Sequence, residues 1–121
     1  MTWFYSQSAG TLHLNDDLVG TGYSGFGEGL DNPADQEIPD VGPIPQGFYL
    51  MGVAFPHPVT GPLTMRLEPT QGTDTFGRSG FLMHGDNANQ DHSASHGCII
   101  MEHDVRLLVA VNSDRLLQVV E

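Results

Sequence analysis

The segment from Gly25 to Pro45 constrains the fold most, because it suits neither a helix nor a strand. Its sequence, GFGEGLDNPADQEIPDVGPIP, is crowded with glycine, proline, asparagine and aspartate, and its apolar residues show no regular period. We therefore predict a long ordered loop. Structureless loops of about 20 residues are uncommon in small domains, and loops of that length often carry function.

Short strands are predicted on both sides of this loop. TWFYSQ, TLHL and LVGTGYS indicate a β-meander, and FYLMGVAF, PLTMRLEP, GFLMH and LLQVV indicate further strands. Only Glu102–Asn112 fits a helix, with Val105, Leu108 and Val109 at helical spacing. We predict one domain, residues 1–121, that is mainly β with one short helix packed on it.

The charge of the chain excludes several classes of partner. Fifteen acidic residues stand against four basic ones, for a formal charge of -11. We therefore expect no nucleic-acid partner and no docking on anionic lipid. No apolar run approaches the roughly 20 residues of a spanning helix. The start of the chain, MTWFYSQSAGTLHLNDD, lacks the regions of a signal peptide, so we expect synthesis in the cytoplasm without one.

The single cysteine, Cys98, has neighbours that suit nucleophilic chemistry. It follows Ser95-His96-Gly97, and His84 precedes it by fourteen residues. A thiol needs a nearby base to become an effective nucleophile. His96 is two residues away in a turn, where side chains usually diverge. We therefore predict that His84 is the general base and that His96 is a structural or orienting group.

Two glycines beside these residues predict the rest of the catalytic site. Gly97 lets the main chain turn, so that the amides of Gly97 and Cys98 can form an oxyanion hole. Such a donor contributes about 3 kcal/mol to catalysis. Gly85 leaves its carbonyl free to orient the imidazole of His84, in the place that an acid takes in other triads.

Four further residues are candidates for substrate binding. Arg78 suits a carboxylate, although a surface ion pair is an equal alternative. Asp86 suits an amine, or it caps its own turn. Tyr23, at the start of the long loop, and Ser95, beside the nucleophile, are predicted to line the cleft.

A zinc site and an inert thiol are the alternative interpretations. The potential zinc ligands are His84, Asp86, Asp91, His92, His96 and Cys98. Convergence of the two later histidines needs a helix, which SASHG disfavours, so we predict no metal or other cofactor. A lone cysteine is often a small buried apolar residue instead. The remaining histidines are predicted at the surface: His13, His57 and His103.

The motif HGDNANQDHSASHGCI resembles the signature of YkuD-type L,D-transpeptidases. The resemblance implies an L,D-transpeptidase-like (YkuD-like) β-sandwich with one short helix. It also implies a cysteine that attacks the bond after the L-centre of diaminopimelate in a peptidoglycan tetrapeptide. D-alanine is then released, and the acyl group passes to an amine or to water. That family commonly carries an arginine two residues after the cysteine, where this chain has Ile100.

The glycine-rich segment and Gly-Pro-Ile-Pro upstream make the chain more similar to type VI secretion L,D-transpeptidase effectors, from about Gly22 to Met101. This resemblance implies an antibacterial toxin that acts on stem peptides in the periplasm of a target bacterium and is neutralised by an immunity protein. Hydrolysis would make it an L,D-carboxypeptidase, and exchange of D-amino acids an L,D-transpeptidase. The alternative is a catalytically silent cell-wall or partner-binding module of the same fold.

Overall fold

The computed structural model describes residues 2–87 and 94–121. These residues form a mainly β structure with one α-helix, α1 (His103–Val111), as predicted. The strands are β1 (Trp3–Ser6), β2 (Thr11–Leu14), β3 (Asp17–Thr21), β4 (Tyr23–Ser24), β5 (Gly47–Met51), β6 (Phe55–His57), β7 (Gly61–Thr70), β8 (Leu82–His84), β9 (Ile99–Ile100) and β10 (Leu116–Val120). The predicted long loop contains only two short 3-10 helices, at Gly27–Gly29 and Pro33–Asp35.

Hydrogen bonds join the described strands in the order β3-β2-β1-β10-β5-β7-β8-β9-β4, with β6 beside β7. The described strands therefore form one continuous mixed sheet. The reason lies in β7, which is ten residues long. Its residues Met65 and Arg66 pair with β8, and Leu67–Thr70 pair with β5. Strand β7 therefore joins the strands on its two sides into one sheet.

The segment FYLMGVAF was predicted as one strand, but it forms β5 and β6 with a break after Met51. Arg115 accounts for the break, because its guanidinium takes the main-chain oxygens there. Its Nε donates to the carbonyl of Met51 at 3.1 Å, and its Nη2 donates to that of Gly52 at 2.7 Å. A side chain thus replaces a neighbouring strand as the hydrogen-bond donor.

Helix α1 packs on the core through Val105 and Val109, as its spacing predicts. The prediction for Leu108 was wrong, since this residue is 55% exposed, and Arg106 is buried in its place. Most of the buried apolar side chains of the described residues form one cluster, to which β1, β2, β5, β7, β8, β9, β10 and α1 contribute. Within residues 2–87 and 94–121, no helix is long and apolar enough to cross a bilayer.

Candidate active site

The pairing of β8 with β9 determines which residues can face Cys98. The two strands run parallel, with Met83 beside Ile99 and His84 beside Ile100. Met83 and Ile99 belong to the core. Because successive side chains alternate between faces, His84 lies on the opposite face. Cys98 precedes β9 by one residue, and continuing the alternation of β9 predicts that it lies on the same face as His84, at a diagonal position within reach of a long side chain.

His84 is oriented by the residue that follows it. Its Nδ1 lies 2.8 Å from the carbonyl oxygen of Gly85, so Nδ1 carries the proton and Nε2 keeps its lone pair. The ring is 4% exposed. This burial lowers the pKa of His84, and the positive guanidinium of Arg106 lowers it further. The hydrogen bond to Gly85 raises the pKa but does not cancel this decrease. The imidazole is therefore neutral near pH 7 and can accept a proton.

Burial also raises the pKa of the Cys98 thiol. A hydrogen bond from the main chain of Leu82 and the positive charge of Arg78 oppose this increase without cancelling it. Both shifts favour the neutral forms, a thiol at Cys98 and an imidazole at His84, over an ion pair at rest. An attack by Cys98 would then require a base to take the thiol proton during the step.

Ser95 holds the turn before Cys98 and has no surface for a substrate. It is fully buried. Its hydroxyl accepts hydrogen bonds from the amides of Gly25 at 2.9 Å and Gly97 at 3.2 Å, and donates to the carbonyl of Cys98 at 2.6 Å. We therefore reassign Ser95 from substrate binding to positioning. The Gly97 amide already donates to this hydroxyl, so of the two predicted oxyanion donors only the Cys98 amide stays a prediction.

Arg78 fastens the long loop to the same turn. It is only 8% exposed, so the alternative of a surface ion pair is wrong. Its Nη1 donates to the carbonyls of Gln36 at 2.6 Å and Pro43 at 2.8 Å, and its Nη2 donates to that of Gly42 at 2.9 Å. Nη2 also fills the place of a side chain at Gly97, which explains the glycine there. Contact with a substrate carboxylate stays a prediction.

His96 contacts the long loop and does not point to the side of the sheet that is predicted for the Cys98 thiol. It is exposed, its ring stacks on Phe26 with centroids 5.4 Å apart, and its Nδ1 lies 3.2 Å from the carbonyl oxygen of Asp40. These contacts suit the predicted orienting role. Two of the possible zinc ligands, Asp91 and His92, lie outside the described residues. Among the residues that are described, no three His, Cys, Asp or Glu side chains cluster as a metal site would require.

Tyr23 and Asp86 are linked beside His84. The buried Tyr23 hydroxyl donates to Oδ1 of Asp86 at 2.7 Å and accepts from the amide of Ala94 at 3.1 Å. Asp86 also accepts from the amide of Asn87 at 2.9 Å, as the turn-capping alternative predicts. Tyr23 therefore positions Asp86, whose carboxylate remains at the exposed rim of the site.

Residues 19–120 match the family model of the Tlde1 domain. The chain belongs to the Tlde1 domain family. This is a type VI secretion effector family, so the predicted resemblance to such effectors is confirmed at the level of the family, and membership is consistent with secretion. The match runs from β3 to β10 and includes every site residue described above. No curated protein matches the chain significantly.

Two residues near His84 in this Tlde1 domain were missed by the sequence predictions. His57, predicted at the surface, is half-buried, and its proximity helps to lower the pKa of His84. Its Nδ1 accepts from the amides of Val59 at 3.0 Å and Thr60 at 3.1 Å. Arg106 was not considered, although its position three residues before Val109 places it on the buried stripe of α1.

Three cavities of the Tlde1 domain are each lined in part by candidate site residues. One of about 180 Å³ is lined by Val59, Thr60, His84, Gly85, Asp86, Asn87 and Ala94. One of about 340 Å³ is lined by Thr21, Gly22, Tyr23, Asp86, Ile100, Met101 and Glu102. The third, of about 230 Å³, is lined by Pro39, Asp40, Gly77, Arg78, Ser79, Phe81 and His96. Of these three cavities, only the first includes His84.

Proposed function

We propose that this domain is a cysteine-dependent enzyme that modifies peptidoglycan tetrapeptide stems, with a fold related to that of YkuD-type L,D-transpeptidases. With water as acceptor it acts as an L,D-carboxypeptidase, and with a D-amino acid it acts as an exchanging L,D-transpeptidase. The observation that supports the proposal is the β8–β9 register, in which His84, oriented by the carbonyl of Gly85, pairs with Ile100, two residues after Cys98.

The reaction proceeds in two steps. The Cys98 sulfur attacks the carbonyl carbon of the L-centre while its proton passes to Nε2 of His84, and the Cys98 amide donates to the developing oxyanion. His84 then gives the proton to the amine of the departing D-alanine. This leaves a thioester, which water or another amine resolves with His84 again as base.

The proposed setting is the periplasm of a target bacterium, where stem peptides are found. Membership of a type VI secretion effector family supports this setting. The proposed partner is a cognate immunity protein. The formal charge of -11 favours a partner with a basic contact surface, because complementary charge steers association.

The proposal is tested by incubating purified diaminopimelate-type tetrapeptide muropeptides with the protein, with and without D-methionine, and analysing the products by mass spectrometry. We expect loss of terminal D-alanine without the acceptor, its replacement by D-methionine with it, and neither in Cys98→Ala. Unchanged muropeptides with the wild-type protein would instead support the silent binding module.

The pH dependence of this activity should reveal the buried base. Burial lowers the pKa of His84, and only the neutral imidazole accepts a proton. We therefore expect kcat/KM for D-alanine release to fall only when the pH is lowered through the pKa of His84. The half-maximal value should lie below a pH of about 6.5, the usual pKa of an imidazole. A half-point above that value would contradict a base whose pKa is lowered by burial.

A further inference from the structure

One of the three cavities, the Arg78 cavity of about 230 Å³, lies beside Cys98. Phe81 lines it and precedes Leu82, whose main chain forms a hydrogen bond with the Cys98 thiol. His84 lines a different cavity. In the proposed reaction the acyl group stays on the sulfur, whereas the amine of D-alanine departs with a proton from His84. The Arg78 cavity therefore lies on the acyl side of the bond that breaks.

The acyl group of a diaminopimelate stem carries a distinctive side chain. Beyond three methylene groups, this side chain ends in a second amino-acid centre, the D-centre, with a free ammonium and a free carboxylate. The D-centre stays with the acyl group after D-alanine departs, because the side chain branches from the L-centre. We propose that the Arg78 cavity binds the D-centre and recognises its two opposite charges together, an inference that rests on the proposed function.

Arg78 and Ser79 supply donors for the carboxylate of the D-centre. Both residues line the cavity. The three hydrogen bonds that Arg78 makes within residues 2–87 and 94–121 all go to neutral main-chain carbonyls. A guanidinium has five N–H donors, so two of them are left for an entering acceptor. Ser79 is exposed, and its hydroxyl adds one more donor on the same wall.

The carboxylate of Asp40 supplies the opposite charge from the long loop. Asp40 lines the same cavity and is exposed. Burial lowers the pKa of Arg78, and Asp40 is near enough to oppose this decrease. Across the described part of the chain the two side chains form no salt bridge with each other, so each charge can pair with a ligand. The D-centre offers the matching charges, with its carboxylate towards Arg78 and its ammonium towards Asp40.

The size of the cavity and the rest of its lining suit a single side chain. Pro39, Phe81 and the ring of His96 provide apolar surface for the three methylene groups. The volume of about 230 Å³ is below the roughly 300–1,000 Å³ of pockets for drug-sized ligands, so the cavity holds one side chain and not a whole stem. Lysine, the alternative third residue of stem peptides, has the ammonium but no carboxylate. The cavity therefore predicts a preference for diaminopimelate over lysine.

The first test compares D-alanine release from three tetrapeptide stems that differ only at the third residue: diaminopimelate, its D-centre carboxamide and lysine. The carboxamide keeps the shape of the D-centre and loses the negative charge. We expect kcat/KM to be lower by about 10-fold or more for both the carboxamide and the lysine stem. Equal kcat/KM for the three stems would overturn the inference and leave the proposed function intact, whereas no release from any of them would overturn both.

A variant of Asp40 tests the contact with the ammonium. Asp40 has a φ of 61°, a left-handed conformation that asparagine also adopts, so Asp40→Asn should keep the main chain. We expect KM for the diaminopimelate stem to rise by about 10-fold, because the ammonium loses its counter-charge. Asp74→Asn is the matched control: Asp74 is exposed and lines none of the three cavities, and asparagine can still accept from the amide of Phe76.

Two further substrates show which zwitterion the cavity binds. With a stem whose D-centre amine is acetylated, Asp40→Asn should no longer raise KM, because the ammonium is already absent. If the cavity binds the free acceptor instead, Asp40→Asn would raise KM for D-methionine and leave KM for the stem unchanged. That result, or equal KM values for the diaminopimelate stem in Asp40→Asn and Asp74→Asn, would overturn the inference.

Discussion

Replacement of His84 by glutamine is expected to slow D-alanine release by about 10²–10⁴-fold, the usual contribution of general acid–base catalysis. Glutamine is close in size and can still donate to the carbonyl of Gly85, so the fold should be kept. It has no group that takes a proton near neutral pH. Both the attack of Cys98 and the departure of D-alanine then lose their proton carrier.

The measurement for this variant is D-alanine release under single-turnover conditions, together with the rate of Cys98 alkylation by iodoacetamide. Both rates should fall. His103→Gln is the matched control, because the side chain of His103 is 62% exposed and its recorded contact is with the exposed Asp104. Unchanged alkylation and turnover in His84→Gln, with intact folding, would exclude His84 as the base.

Replacement of Arg78 by alanine is expected to lower the free energy of unfolding by about 3–5 kcal/mol, because each buried acceptor left without its donor costs about 1–3 kcal/mol. Three main-chain carbonyls, those of Gln36, Gly42 and Pro43, would lose their donors inside the protein. The long loop would be released from the turn at Gly97. Turnover should fall with stability, because that turn carries the nucleophile.

Urea denaturation measures this effect, with Arg66→Ala as the matched control. Arg66 is exposed and lies over the ring of Phe55, 4.8 Å from its centroid, a contact that contributes about 0.5–1 kcal/mol. We expect the Arg78 variant to lose several times more stability than the Arg66 variant. Similar losses in the two variants would mean that Arg78 does not hold the loop.

Local sequence patterns predicted the strands, the helix and the long loop, because each depends on neighbouring residues. Features that depend on contacts between residues far apart along the chain were not predicted. The end of β5 at Met51 depends on Arg115, and the continuity of the sheet depends on how β7 shares its length between two neighbours. Neither feature is visible in the period or the composition of a segment.

The candidate site shows the same division. His84 and Cys98 were predicted from their spacing and from the side-chain geometry of strands. The roles of Ser95 and Arg78 were not predicted, since their partners lie far along the chain: Gly25 is 70 residues from Ser95, and Gln36 is 42 residues from Arg78. Arg106 was missed for the same reason, because it contacts Pro62 from a distance of 44 residues.

The central claim is that Cys98 becomes acylated by a stem peptide, and intact-protein mass spectrometry tests it most directly. The protein is mixed with tetrapeptide muropeptide and quenched with acid within the first turnover, and the adduct is mapped by peptide digestion. We predict a mass increase equal to the tetrapeptide muropeptide minus one molecule of free D-alanine, located on Cys98 and absent from Cys98→Ala. The covalent mechanism would be contradicted if D-alanine were released without any adduct, or if Cys98→Ala released D-alanine as fast as the wild-type protein.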